Sequence, residues 1–252
     1  MSVVQCAIAD GIGRVTLNRP ECMNAITTEL AQQLEHALST LSSGTAVNVI
    51  VIRGAGKNFC AGGDVAEVER LRSVGPERLR TLFDAFRRAC EVIANIDVPV
   101  VAAVEGIAMA GGFELMQATD IVIVSDDAKI ADNHINFGMI PGGGSTQRLP
   151  RLIGHQLALG LLLSGERLSG LDAVRLGLAY RSFAPRAFDE GVNRFVAQLA
   201  ERDRAAVATI KGLVSGTRQR SLSQGLDDEI GAVVAHITKH GVDEFNRLGT
   251  SS

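Results

Sequence analysis

The chain has 252 residues, 46% of them hydrophobic and 21% charged, which suits one large domain, or a domain plus a small appendage, with a full apolar core. A formal net charge of −3 leaves no basic stripe for nucleic acid, although it does not exclude a small anion held by local groups. The 4 cysteines, Cys6, Cys22, Cys60 and Cys90, form no C-x-x-C pair, so neither a zinc site nor a disulfide framework is expected, and reduced thiols point to the cytoplasm.

The opening, MSVVQCAIADG, lacks a basic start and a long apolar run, so no signal peptide is expected. No apolar stretch reaches the ~18 residues of a membrane-spanning helix. Val3 to Ala9 and Arg14 to Asn18 read as strands, with Asp10-Gly11 as the hairpin signal between them. TTELAQQLEHALSTL then places Leu30, Leu34, Leu38 and Leu41 at helical spacing, behind Thr27 or Thr28 as N-cap. VNVIVIRG, Val47 to Gly54, is a run rich in β-branched residues ending in Gly, as a buried parallel strand should be. The loop KNFCAGGD leads into the helical VAEVERL, and Pro76 opens a helix of about five turns. VPVVAAVEG, Val98 to Gly106, is a second buried strand. A loop, IAMAGG, a helical stretch, FELMQA, and a third strand, DIVIVSD, follow it. Strand, glycine loop, helix and strand alternate, so the class is α/β with crossover connections. Beyond Arg148 helices are expected near 145–163, 170–177, 186–201, 204–214 and 221–240, with no linker to mark a separate domain.

The glycine loops are not nucleotide cradles. KNFCAGGD has no Lys-Ser/Thr ending, and no G-x-G-x-x-G opens a helix. Their glycines could simply make turns. Yet AGGD at 61–64 and AGGFE at 110–114 each follow a buried strand and lead into a helix, whose first N–H groups are unpaired. One such N–H from each loop, converging on one oxygen, would make an oxyanion hole. Glu114 falls within a turn of Gly111 and is either a base beside that oxygen or a carboxylate favoured by the helix end. Asp64 reads as an N-cap, and Asp120 as a turn residue. His134 lies beyond the third strand, between Asp132 and Asn133 and a Pro-Gly loop, a setting common around sites. His36, His155, His236 and His240 fall in helical patterns and read as solvated.

Five segments, taken in order, resemble the enoyl-CoA hydratase/isomerase (crotonase) superfamily. They are VTLNRPECMNAI, VIVIRGAGKNFCAGGDV, PVVAAVEGIAMAGGFELMQATDIVIVSD, FGMIPGGGSTQRLPRLIG and LSGERLSGLDAVRLGLAYR. The resemblance implies a crotonase-like spiral of ββα turns over residues 1–190. A C-terminal helical region at 191–252 completes the same functional domain and serves trimerisation, as trimers or pairs of trimers. It puts the oxyanion-hole amides on Ala61 and Gly111, around the thioester oxygen of an acyl-CoA. It puts the CoA end near Cys22, Met23, Gly62, Gly63 and Asp64, and implies no metal or redox cofactor. Glu114 matches the first of two catalytic glutamates, and His134 stands where the second belongs. Gly142 matches a glycine whose N–H helps hold the catalytic water.

A Glu114/His134 pair can supply the base and the acid that hydration or dehydration of a 2-enoyl-CoA requires, since histidine titrates near neutrality. Other members of the superfamily isomerise with one carboxylate, decarboxylate with the oxyanion hole, or hydrolyse the thioester. A non-catalytic acyl-CoA-binding protein is a different class, and would have no need of Glu114. Residues 65–90 and the C-terminal helices are expected to shape the acyl pocket. The ending KHGVDEFNRLGTSS departs from the basic, aromatic ending common in the superfamily.

Overall fold

The computed structural model describes residues 2–217 and 219–249, with side chains described through residue 239. Strands β1 (Val4–Ala9) and β2 (Ile12–Leu17) form an antiparallel hairpin. Asp10 and Gly11 turn it at φ of 53° and 74°, the left-handed pair that a two-residue hairpin requires. After a 3-10 turn at Pro20–Cys22, Thr27 accepts a hydrogen bond from Leu30 N–H and starts α1 (Thr28–Ser42). That helix buries Leu30, Leu34, Leu38 and Leu41, the stripe expected from their spacing.

Strand β3 (Val49–Gly54) runs parallel to β2. Ile50 and Ile52 enter the main core on one face, while Val49 and Val51 enter a second core on the other. Both faces are covered, which is why the sequence here is an unbroken apolar run. Next come α2 (Val65–Val74) and α3 (Pro76–Asn95), the latter packed on α1. Then β4 (Val100–Val104), β5 (Ile107–Met109), α4 (Gly111–Ala118), β6 (Ile121–Ser125) and β7 (Lys129–Ala131) follow. A 3-10 turn, His134–Phe137, leads to α5 (Ser145–Ile153), α6 (His155–Ser164), α7 (Gly170–Arg175), β8 (Arg181–Phe183) and α8 (Phe188–Ala200).

The main sheet has the order β1-β2-β3-β4-β6-β8, parallel apart from its first pair, and β5 and β7 form a small parallel sheet of their own. Single bridges join Cys60 to Ala108 and Ile26 to Gly63. These bridges bring the loops at 61–64 and 110–111 side by side.

The structure corrects the sequence reading at several points. IAMAGG is not all loop, because Ile107–Met109 pairs with β7. The helix expected over 145–163 is broken at Gly154, which sits at φ 84°. The boundary at 190 would cut α8, whose Phe188, Val192 and Val196 fill the second core with Ile12, Val49 and Val51. The first compact unit therefore runs through Glu201. A second unit, from Arg202, contains α9 (Arg204–Gly216), capped by Asp203, and α10 (Leu222–Gly249), which pack together. From His240 on, the C-terminal ending lies outside the described side chains. Among the described residues no helix is long and apolar enough to cross a membrane.

Candidate active site

The two glycine loops approach as closely as backbone allows. A Cβ on Gly112 would lie 2.1 Å from Cys60 O, and one on Gly62, at φ 106°, would lie 2.8 Å from Ala110 Cβ. Most of the N–H groups along the first loop are already committed. Ala61 N–H donates to Met23 O at 2.9 Å, Gly62 N–H to Cys60 Sγ at 3.5 Å, and Asp64 N–H to Ile26 O at 2.9 Å. Among the described hydrogen bonds Gly63 N–H has no acceptor. Ala61, the donor expected from sequence, lines the cavity, but its amide is taken. The reason is local: Met23 sits at φ 50°, ending the 3-10 turn, and its carbonyl meets Ala61 N–H. The spare amide is two positions further on. In the second loop Ala110, a non-glycine at φ 47° and ψ −116°, donates its N–H to Ala131 O. This pins the start of α4, so Gly111 becomes the first helical residue, where an N–H has no partner within the helix.

Glu114, one turn into α4, is 2% exposed. Its Oε1 accepts from Gly143 N–H at 2.7 Å and Ser145 N–H at 3.1 Å. Its Oε2 has no described hydrogen bond. Burial pushes its pKa up, with Asp132 adding, against the two N–H groups and His134, which favour the carboxylate. The IPGGG turn that provides these donors is held by Arg148, whose guanidinium donates to Gly143 O at 2.5 Å. Gly143 must lack a side chain, since a Cβ would lie 2.2 Å from Phe86 Cε1.

Glu114 and His134 line one cavity of about 350 Å³. Its other walls are mostly apolar: Ile26, Val65, Val68, Leu82, Phe83 and Phe86, with Phe137 and Met139 on the far loop. Gly63, Gly111 and Gly143 open onto it. His134 Nδ1 lies 2.6 Å from Asp132 Oδ1. Burial opposes a charged imidazole. The hydrogen bond and charge of Asp132, with Glu114 adding, outweigh that and hold its pKa above the ordinary histidine value.

The remaining expected residues divide. Asp64 Oδ1 caps α2 through Glu67 N–H at 3.0 Å, and Asp64 pairs with Arg19 at 3.0 Å. Despite burial, those bonds hold its carboxyl below the usual range. Cys22 and Met23 are exposed at the edge of the 61–64 loop. Gly142 is not among the residues that line the cavity, a Cβ there would lie 2.6 Å from Phe83 Cε1, and the N–H that donates to Glu114 is that of the next residue, Gly143. Asp120 serves its turn, accepting from Val100 N–H at 2.7 Å. His36 and His155 are exposed, and His236 is half-buried. Burial pushes the Cys60 thiol up to about 12, which removes it as a thiolate nucleophile.

Sequence reasoning missed Gly63, Gly143 and Ser145 as donors, and Asp132 as the partner of His134. Only the last had a sequence signal: just past a strand, residues two apart share a face.

The sequence profile of the family described as Enoyl-CoA hydratase/isomerase matches residues 7–246. A protein of Rhizobium meliloti described as a probable enoyl-CoA hydratase is 35% identical over 215 residues, covering 85% of this chain and 82% of its own. The crystal structure of enoyl-CoA hydratase from Bacillus anthracis superposes with a TM-score of 0.90 at 30% identity, over 98% of this chain and 95% of that one. A Thermobifida fusca structure in complex with CoA superposes with a TM-score of 0.86 at 27% identity, over 94% of each chain.

Proposed function

The chain belongs to the enoyl-CoA hydratase/isomerase family of enzymes, and we propose that it adds water reversibly across the double bond of a 2-enoyl-CoA thioester. The observation that carries this is one apolar cavity holding an unbonded Glu114 oxygen and His134 beside the spare amides of Gly63 and Gly111. The thioester oxygen accepts from those amides, so charge moving onto it during addition is stabilised where it develops. Glu114 Oε2 takes a proton from water, whose oxygen bonds to Cβ, and the double-bond electrons pass to the thioester oxygen. His134 then gives a proton to Cα as the carbonyl reforms. One water is consumed, and a proton passed from Glu114 back to His134 resets the site. Dehydration runs the same steps in reverse. No metal or redox cofactor is needed for this sequence.

The CoA end is assigned to the edge formed by Cys22, Met23, Gly62, Gly63 and Asp64. The CoA complex of the Thermobifida fusca relative supports an acyl-CoA ligand. We place the reaction in the cytoplasm, in keeping with four free thiols, and the assembly as a homotrimer or a pair of trimers.

Purified protein is expected to remove the conjugated absorbance of a short 2-enoyl-CoA. Glu114→Gln is expected to abolish this, and His134→Ala to slow it about 10²-fold or more. An undiminished rate in Glu114→Gln would exclude the mechanism, and an undiminished rate in His134→Ala would leave His134 a structural residue.

A further inference from the structure

We propose that Asp132 is the positioning residue of this site: it binds Nδ1 of His134, turns Nε2 toward the cavity, and keeps the ring charged as the proton donor that complements Glu114. The backbone arranges the pair. β7 ends at Ala131, Asn133 bends away at φ −102° and ψ 16°, and His134 opens the 3-10 turn, so the two side chains meet at 2.6 Å. Asp132 has a side chain only 1% exposed, and its Oδ2 has no hydrogen-bond partner. A carboxylate buried that deeply is costly unless a cation faces it, and the group that faces it, a cation once protonated, is His134. With Nδ1 committed, Nε2 is the atom left to exchange protons, and the ring lines the cavity that holds Glu114.

The charged groups acting on His134 are Asp132, beyond β7, and Glu114, from α4. Helix α6 packs on the same 3-10 turn and brings only His155, which is exposed. Both act in the same direction, raising the pKa of the ring. Asp132 thus decides which proton His134 carries, while Glu114 remains the base. What the donated proton does rests on the hydration reading; the orientation and charge of the ring do not.

The test is an NMR titration of the His134 ring in the ligand-free full chain, assigned with His134→Gln, alongside the pH profile of turnover. In the wild type the neutral ring is expected to carry its proton on Nδ1. In Asp132→Asn, which keeps an acceptor oxygen but not the charge, the titration midpoint is expected to fall by about one pH unit or more. Turnover is expected to fall about 10²-fold. Because His134 is needed in its protonated form, the alkaline limb of the profile moves to lower pH in step with the midpoint. An unmoved midpoint and limb in Asp132→Asn would overturn the proposal. So would a wild-type neutral ring protonated on Nε2, a result that stands even where the variant does not fold. If the wild type turns over no enoyl-CoA, the hydration reading fails and the ring titration still decides the role of Asp132.

Discussion

Gly63 and Gly112 stand on adjoining loops but differ in what a methyl group would meet. A Cβ on Gly63 comes no closer than 3.9 Å to Val68, whereas one on Gly112 would lie 2.1 Å from Cys60 O. Gly63→Ala is therefore expected to keep its backbone donor and turn over within about twofold of wild type, since the N–H and not the side chain does the work. Gly112→Ala is expected to force the loops apart at a cost of about 1–3 kcal/mol and to lower turnover with them. Thermal melting and initial rates of the two variants check this, and equal behaviour would contradict it. Sequence alone located both loops and Glu114 but not the spare amide, because Ala61 is engaged by a carbonyl from Met23, far along the chain. His134 was legible as a polar residue near a Pro-Gly loop. Glu114 was read as its catalytic partner, and the two line one cavity; the residue hydrogen-bonded to its Nδ1, Asp132, was not read.

At the scale of elements, Asp64 joins the 61–64 loop to the start of α2. Its cap on Glu67 N–H and its pairing with Arg19 are both partly buried. Asp64→Ala is expected to destabilise the protein by about 1 kcal/mol through the lost cap, measurable by denaturant unfolding. An unchanged midpoint would mean that the cap contributes nothing to the fold. Elements whose signal is local were readable: the hairpin at Asp10-Gly11, the leucine stripe of α1, the apolar run of β3 and Pro76 at the start of α3. Those that were not are β5, β7 and β8, each of 3 residues. Strands so short have no period to read and exist because distant partners, Ala108 against Ile130 and Ile123 against Arg181, supply their hydrogen bonds. The small β5–β7 sheet is also what fixes Ala110 and hence Gly111.

At the scale of the molecule, the family resemblance specified the fold class, and the five segments that carried it all fall in or beside the cavity walls and the sheet. The boundary at 201 was not legible, since α8 belongs to the first unit through packing of Phe188, Val192 and Val196 and not through any change in composition. The family resemblance implies trimers or pairs of trimers, and Ile140, 82% exposed, and Leu163, 66%, are apolar surface that subunit contacts would cover, so light scattering is expected to give three or six times the 26.6 kDa chain. A monomeric mass would contradict that assembly. The central claim, that Glu114 and His134 add water to an enoyl thioester held by two amides, is tested most directly by the mass of the product. Incubated with a panel of short 2-enoyl-CoA substrates in ¹⁸O-labelled water, the protein is expected to yield a product heavier by one labelled water with its thioester intact. A product of unchanged mass, one lighter by carbon dioxide, or free CoA would contradict it.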